Sequence, residues 1–342
     1  EALMTGEVGH DDRVRYLART AVAGGPARPI SREPRVISSF ASGAGRPIVV
    51  TAAAIQQPAE LFVLEDGRLR QLTRHNDALL AEFALGRSEE FSSRSGDGTQ
   101  VNGIVTRPRN AAPGQRLPAV LLIHGGPDGQ DAHEFNLERE LLAANGYLVI
   151  QANYRGSSGR GSTFQKAIYA DWGNKEVVDL LGALDHFVVA GLADPARIGS
   201  VGWSYGGILT NYLIASDTRF KAAVSTAGSA MMVLWGIDQY PMQYELELGP
   251  PWKSKDLWIK LSYPFFQADR IRTPTLYLCG EKDFNVPVAG CEQMYQALRS
   301  LDVPTRLVVY PGLFHGLASP AALQDRLTRQ LEWLAKYMDS SG

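Results

Sequence analysis

The stretch that decides the fold is VGWSYGGIL, residues 201–209, where a serine stands between small residues at the end of an apolar run. The pattern GxSxG occurs here once, as Gly202-Trp203-Ser204-Tyr205-Gly206, and alone it is a weak signal in a chain with 34 glycines. Its flanks strengthen it. RIGSVGW (197–203) reads as a strand and GGILTNYLIAS (206–216) as a helix. Ser204 therefore falls on the strained strand-to-helix turn that pushes a serine Oγ into a cleft. The helix start beneath it favours developing negative charge.

A serine hydroxyl needs a base to take its proton, and on this scaffold the partners follow in the order Ser, acid, His. Of six histidines only His315, in YPGLFHG (310–316), lies after Ser204. Glu281 and Asp283, in LCGEKDFNVP (278–287), stand just past the end of a strand, where open α/β sheets gather their sites. Asp283 is the choice to hold the His315 ring; Glu281 is the alternative, because the register of such a loop is beyond single-sequence reading. An oxyanion hole needs backbone N–H donors, one from Tyr205 and a second from LLIHGGPDG (121–129), where Gly125 and Gly126 let bare backbone approach a substrate. His124 and His133 share no HExxH or HxH spacing with a nearby carboxylate, so neither metal nor cofactor is expected.

Working outward, LPAVLLIH (117–124), YLVIQAN (147–153), FKAAVST (220–226), TPTLYLCG (273–280) and PTRLVVYP (304–311) join RIGSVGW as strands. Most are apolar without alternation, as parallel strands covered on both faces are. Val177, Leu180, Leu181, Leu184, Phe187 and Val188 fall at helical spacing, as do Met294, Leu298 and Leu301, and a last helix runs from about Pro320 to Met338. Residues 1–75 read instead as β-hairpins: VRYLART (14–20) turns through AVAGGPA, and AELFVLE (59–65) turns at Asp66-Gly67 into RLRQLT. So few strands cannot close a propeller or barrel by themselves, and their edges call for cover.

With 342 residues, 45% of them hydrophobic, the chain buries a sizeable core. Its 34 basic and 36 acidic residues are dispersed, which argues against nucleic acid and membrane as partners. No apolar run approaches the roughly 20 residues of a membrane span. A soluble protein of unassigned compartment is expected, with homo-oligomerisation left open. Cys279 and Cys291 have no CxxC spacing and read as free thiols, a bridge being the minor alternative.

Taken together, HGGP (124–127), NYRGSSGRG (153–161), GWSYGG (202–207), GEKDFNVP (280–287) and YPGLFHG (310–316) resemble the prolyl oligopeptidase family of serine peptidases, with every motif in order over residues 88–340. The resemblance implies an α/β-hydrolase catalytic domain at 76–342, preceded at 1–75 by the last one or two blades of a β-propeller whose other blades would come from the same precursor or a separate fragment. It implies Ser204 as nucleophile, Asp283 as acid, His315 as base, and Gly126 with Tyr205 as oxyanion donors. The family usually lines its first subsite from the segment after FKAAVST, here GSAMMVLWGIDQY (228–240), whose Met231, Met232, Trp235 and Tyr240 stand at roughly helical spacing. Asn285 is the candidate donor to a peptide carbonyl.

HGGP and ELELGPPWKSKDLW (245–258) look most like the acylaminoacyl-peptidase and bacterial oligopeptidase branch. That branch often has arginine where Asn285 stands, whereas the dipeptidyl-peptidase branch has asparagine. The expected function is hydrolysis of short peptides through an acyl-enzyme on Ser204. The alternatives are a dipeptidyl-peptidase, a carboxylesterase using the same triad and, last, a non-catalytic binding module.

Overall fold

The computed structural model describes residues 2–6, 12–230, 234–235 and 239–338. Its centre is an eight-stranded sheet of β8 (Arg87–Arg94), β9 (Gln100–Arg107), β10 (Leu117–Ile123), β11 (Leu148–Asn153), β12 (Ala193–Trp203), β13 (Phe220–Thr226), β14 (Thr275–Gly280) and β15 (Thr305–Tyr310), in the spatial order 15-14-13-12-10-11-9-8. The strands from β10 to β15 pair in parallel with one another, whereas β9 pairs antiparallel with both β11 and β8. All six strands read from the sequence are present. The antiparallel pair β8–β9 precedes them and starts the sheet at Arg87.

Successive side chains of a strand point to opposite faces, and here both faces are covered. Leu121, Ile123, Leu148 and Ile150 meet the helices Lys175–Val189, Tyr205–Ser216 and Val288–Ser300 through Leu180, Leu184, Leu213 and Leu298. Val120, Leu122, Val149 and Leu276 meet the helices Leu137–Ala144 and Pro320–Met338 through Leu142, Leu334 and Met338. Each such side chain contributes about 1.5–3 kcal/mol on burial, which is why most of the parallel strands are largely apolar without alternation. Leu301, taken from its spacing as part of the helix face at Met294 and Leu298, caps that helix and is 40% exposed.

The N-terminal part forms two smaller antiparallel sheets: β1 (Ala2–Gly6), β2 (Tyr16–Thr20) and β3 (Arg28–Pro29), then β4 (Val36–Ala41), β5 (Ile48–Ala54), β6 (Gln57–Glu65) and β7 (Arg68–Gln71). The β6–β7 hairpin turns on Asp66 and Gly67 at φ 50° and 81°, the double positive φ that this turn type requires and that an Asp-Gly pair supplies. Leu17, Ile37, Val50, Ala52 and Phe62 make a separate small core. Polar contacts hold these sheets to the large one: Arg13 pairs with Glu90 at 3.0 Å, Arg139 Nη2 donates to the Ile55 carbonyl at 2.7 Å, and Asn102 Nδ2 donates to Asp12 Oδ1 at 3.0 Å.

Cys279 and Cys291 are joined by a disulfide, Cα to Cα 6.8 Å and both fully buried, which overturns their reading as free thiols. The reason is topological. The chain leaves β14, turns through 281–287, and its next helix folds back across the strand end, so two cysteines twelve residues apart in sequence come to face each other. Replacing both by serine is expected to cost about 2–4 kcal/mol through the loosened unfolded chain. Thermal melts of Cys279→Ser/Cys291→Ser against the parent measure it, and an unchanged Tm removes the bridge as a stabiliser. No helix among the described residues is long and apolar enough to cross a membrane.

Candidate active site

Ser204 closes β12 and caps the helix Tyr205–Ser216, with φ 58° and ψ −123°. A serine holds such a conformation only where its surroundings over-determine it. Here Ser204 N donates to the Thr226 carbonyl on β13 at 2.9 Å, and Ser204 O accepts from Ile208 N at 2.9 Å. The flanking glycines are steric necessities: a Cβ at Gly202 would collide with the Gly206 carbonyl, and one at Gly206 with the Ile123 carbonyl of β10. The bend is thereby pressed against the neighbouring strand.

His315 stands in the loop after β15. Its Nε2 lies 2.9 Å from Ser204 Oγ and its Nδ1 lies 2.8 Å from Asp283 Oδ2. A carboxylate only accepts, so Nδ1 carries the proton and Nε2 presents its lone pair to the serine hydroxyl. Asp283 is 3% exposed. Its other oxygen, Oδ1, accepts from the backbone N–H groups of Asn285 and Val286, each at 2.9 Å, which fixes the carboxylate plane toward the imidazole. Glu281 Oε2 instead accepts from Gly312 N at 2.6 Å. Of the two acids, Asp283 is the one that meets the His315 ring.

The loop after β10 passes beside the serine: a Cβ on Gly125 would sit 3.1 Å from Ser204 Cβ and 3.7 Å from its Oγ. Gly126 follows at φ 135°, a region that a residue with a Cβ avoids. His124 is a structural group of this loop. Its Nδ1 donates to the Gly125 carbonyl at 2.8 Å, its Nε2 accepts from Ser157 Oγ at 2.9 Å, and burial pulls its pKa down to about 4, so the ring is neutral. His133 pairs with Glu90. Among the described residues no cluster of His, Cys, Asp and Glu is arranged to hold a metal ion.

Of the residues expected to line a substrate pocket, Met231 and Met232 lie outside the described residues. Trp235 is half-buried and meets Trp252 edge-on, ring centroids 5.0 Å apart. Tyr240, 45% exposed, does not continue a helix from Trp235; it precedes a new one, Pro241–Leu248. Pro241 at the first helical position starts that helix.

Gln239, which sequence reasoning missed, ties this segment to the acid loop. Its N–H donates to the Phe284 carbonyl at 2.7 Å and its side-chain amide donates to Asn285 Oδ1. Phe284 and Phe314, each more than half exposed, flank Asp283 and His315 in the chain, their rings 6.0 Å apart.

Comparison with known proteins places the chain in a family. The chain is 32% identical over 318 residues to the "Uncharacterized peptidase YuxL" of Bacillus subtilis, covering 91% of this chain and 48% of that one. It is 30% identical over 244 residues to the "Acylamino-acid-releasing enzyme" of Arabidopsis thaliana, covering 68% of this chain and 32% of that protein. The fold superposes on the acylaminoacyl peptidase of Pyrococcus horikoshii with a TM-score of 0.89 at 23% identity, over 99% of this chain and 54% of that one. The chain thus spans about half or less of the length of these proteins. The model of the prolyl oligopeptidase family matches residues 133–341, more than half of the chain and a span that includes Ser204, Asp283 and His315, and the chain belongs to that family.

Proposed function

We propose that this chain is the catalytic part of a serine peptidase that cleaves short peptides by acyl transfer to Ser204. The observation that carries the reading is the unbroken relay from Asp283 through His315 to a serine held at φ 58° on a strand-to-helix turn. His315 Nε2 takes the Ser204 proton as Oγ attacks the scissile carbonyl, and Asp283 stabilises the imidazolium that forms. The carbonyl oxygen turns into an oxyanion facing the N–H groups of Tyr205 and Gly126. His315 then protonates the leaving amine, and a water repeats the sequence to release the acid.

Substrate features follow from the rim. With Asn285 Oδ1 engaged by Gln239, the Asn285 Nδ2 hydrogens are left to donate to a backbone carbonyl of the peptide. Met231, Met232, Trp235 and Tyr240 are read from the sequence as the lining of the first subsite, and their side-chain types suit Phe, Leu or Met before the scissile bond. The two N-terminal sheets, of three and four antiparallel strands, are read as blades of a propeller continued elsewhere, which would restrict entry to slim, flexible peptides. The acylamino-acid-releasing relatives direct the first substrate choice to peptides with an acylated N-terminus.

The test compares kcat/KM for acylated and free-amine peptides and for a small ester, in the parent and in Asn285→Ala. The variant is expected to lose about fivefold on peptides, one neutral hydrogen bond of about 1 kcal/mol, and to keep its ester rate. Efficient ester cleavage without peptide cleavage would replace the peptidase reading with an esterase.

A further inference from the structure

The segment YADWGNKEVVDLL (169–181) carries a carboxylate that the hydrolytic relay does not use. Glu176, in the first turn of the helix Lys175–Val189, is fully buried. Its Oε1 accepts the Tyr205 hydroxyl at 2.6 Å and Gly173 N at 3.2 Å, while Oε2 has no hydrogen-bond partner among the described residues. One turn on, Asp179 takes the Arg155 guanidinium at 2.8 Å, together with Arg155 N at 2.7 Å and Ser95 Oγ at 2.5 Å. Of these two buried acids, Glu176 is thus the one bound to a phenol rather than to a cation. Burial raises its pKa to about 7. A carboxyl kept in so costly a place points to what it holds, the side chain next to the nucleophile.

The Tyr205 ring is walled in by groups that are themselves fixed. Trp172 meets it edge-on at 5.0 Å, and the Trp172 indole N–H donates to Glu247 Oε1 at 2.6 Å. On another side, at 6.3 Å, is the ring of Tyr154, which also stacks on His124 at 4.4 Å and donates its hydroxyl to the His124 carbonyl at 2.9 Å. The segments bearing the two backbone N–H groups assigned to the oxyanion are therefore tied side chain to side chain. Residue 205 is fastened by Glu176, the loop 124–126 by Tyr154, and the two tyrosines lie against each other.

We infer that Glu176 is a positioning residue for the oxyanion hole: by accepting the Tyr205 hydroxyl it fixes residue 205 in one rotamer and aims its backbone N–H at the developing oxyanion. This rests on the reading of Ser204 as nucleophile. The physical need is specific. Residue 205 directly follows a backbone held at φ 58° and ψ −123°, and a strained bend relaxes unless it is tied on both sides. Catalytic donors must be held to within about 0.5 Å and 10–20°. The hydrogen bond to an oxyanion is stronger than that to a substrate carbonyl, so a misaimed donor lowers kcat and leaves KM nearly unchanged.

The experiment uses Tyr205→Phe, Glu176→Ala and Glu176→Gln, with kcat and KM on one peptide, inhibition by the corresponding peptide aldehyde, and thermal melts. The aldehyde forms a covalent hemiacetal with the Ser204 oxygen, its carbonyl oxygen entering the hole, and so reports on the donors without turnover. Tyr205→Phe is expected to lower kcat about tenfold, a fraction of the 100- to 1,000-fold lost with an entire donor, with KM within about twofold and aldehyde affinity falling in step with kcat. Glu176→Ala should match it. Glu176→Gln, which keeps an acceptor oxygen of the same reach, should restore kcat to within about threefold. If Glu176→Ala does not fold, the other two variants carry the test. Unchanged kcat and aldehyde affinity in Tyr205→Phe would overturn the inference. So would a loss expressed in KM alone, or a Glu176→Gln variant as impaired as Tyr205→Phe. Undiminished turnover by Ser204→Ala would instead overturn the underlying reading.

Discussion

Ser204→Ala and His315→Ala are each expected to lower kcat roughly a million-fold, and the double variant to be scarcely slower than either. The non-additivity follows from the geometry. His315 Nε2 has one function at 2.9 Å from Ser204 Oγ, to take and return the serine proton; without the hydroxyl there is no proton to take, and without the imidazole the hydroxyl is too poor a nucleophile. Steady-state kinetics with an acylated peptide, supported by loss of fluorophosphonate labelling in Ser204→Ala, measures this directly. Additive losses would mean that the two residues act independently, and turnover near the parent rate by either single variant would remove it from the mechanism.

Asp283→Asn is expected to lower kcat by about 10⁴, with little change in folding, because the amide keeps the shape while changing what His315 can do. Asp283 Oδ1 is committed to the N–H groups of Asn285 and Val286, leaving Oδ2 for His315. An asparagine that keeps its oxygen on those two donors turns its NH2 toward Nδ1. That face of the ring must then accept, and Nε2 carries a proton toward Ser204 when it should receive one. Glu281→Gln is the matched control. Its side chain serves Gly312 N at the surface, so kcat should stay within a few-fold of the parent, as for other exposed polar changes. A crippled Glu281→Gln beside an active Asp283→Asn would reverse the assignment.

The parallel strands were legible because a strand covered on both faces has no alternation to hide it: Leu117–Ile123 and Leu148–Asn153 are apolar runs of the right length between turn signals. Ser204 was legible from its glycines, whose reason is now visible in the carbonyls of Gly206 and Ile123 that a Cβ would strike. His315 was legible by chain order alone.

What escaped reading depends on long-range closure. Cys279 and Cys291 carry no local sign that a helix returns across the end of β14. Asp283 and Glu281 are chemically similar and two residues apart, and only the turn through Val286 selects between them. The apolar spacing of the helix Lys175–Val189 revealed Val177, Leu180 and Leu184, yet Glu176 and Asp179 are buried beside them, invisible to a pattern that takes charge as a mark of the surface. The start of the helix Pro241–Leu248 did have a local sign in its proline, which the spacing of Trp235 and Tyr240 overrode.

The bridge between Cys279 and Cys291 has a further consequence, because it brackets both Asp283 and Asn285. The acid and its neighbour lie within a covalent ring that opens at the end of a sheet strand and closes in the first turn of a helix. A single cut of the main chain inside that ring, by any protease, separates no fragments. The sulfurs keep the two ends joined while both flanks stay buried in the core. The segment bearing the acid is thus the one part of this surface where hydrolysis of one bond and loss of the piece are different events.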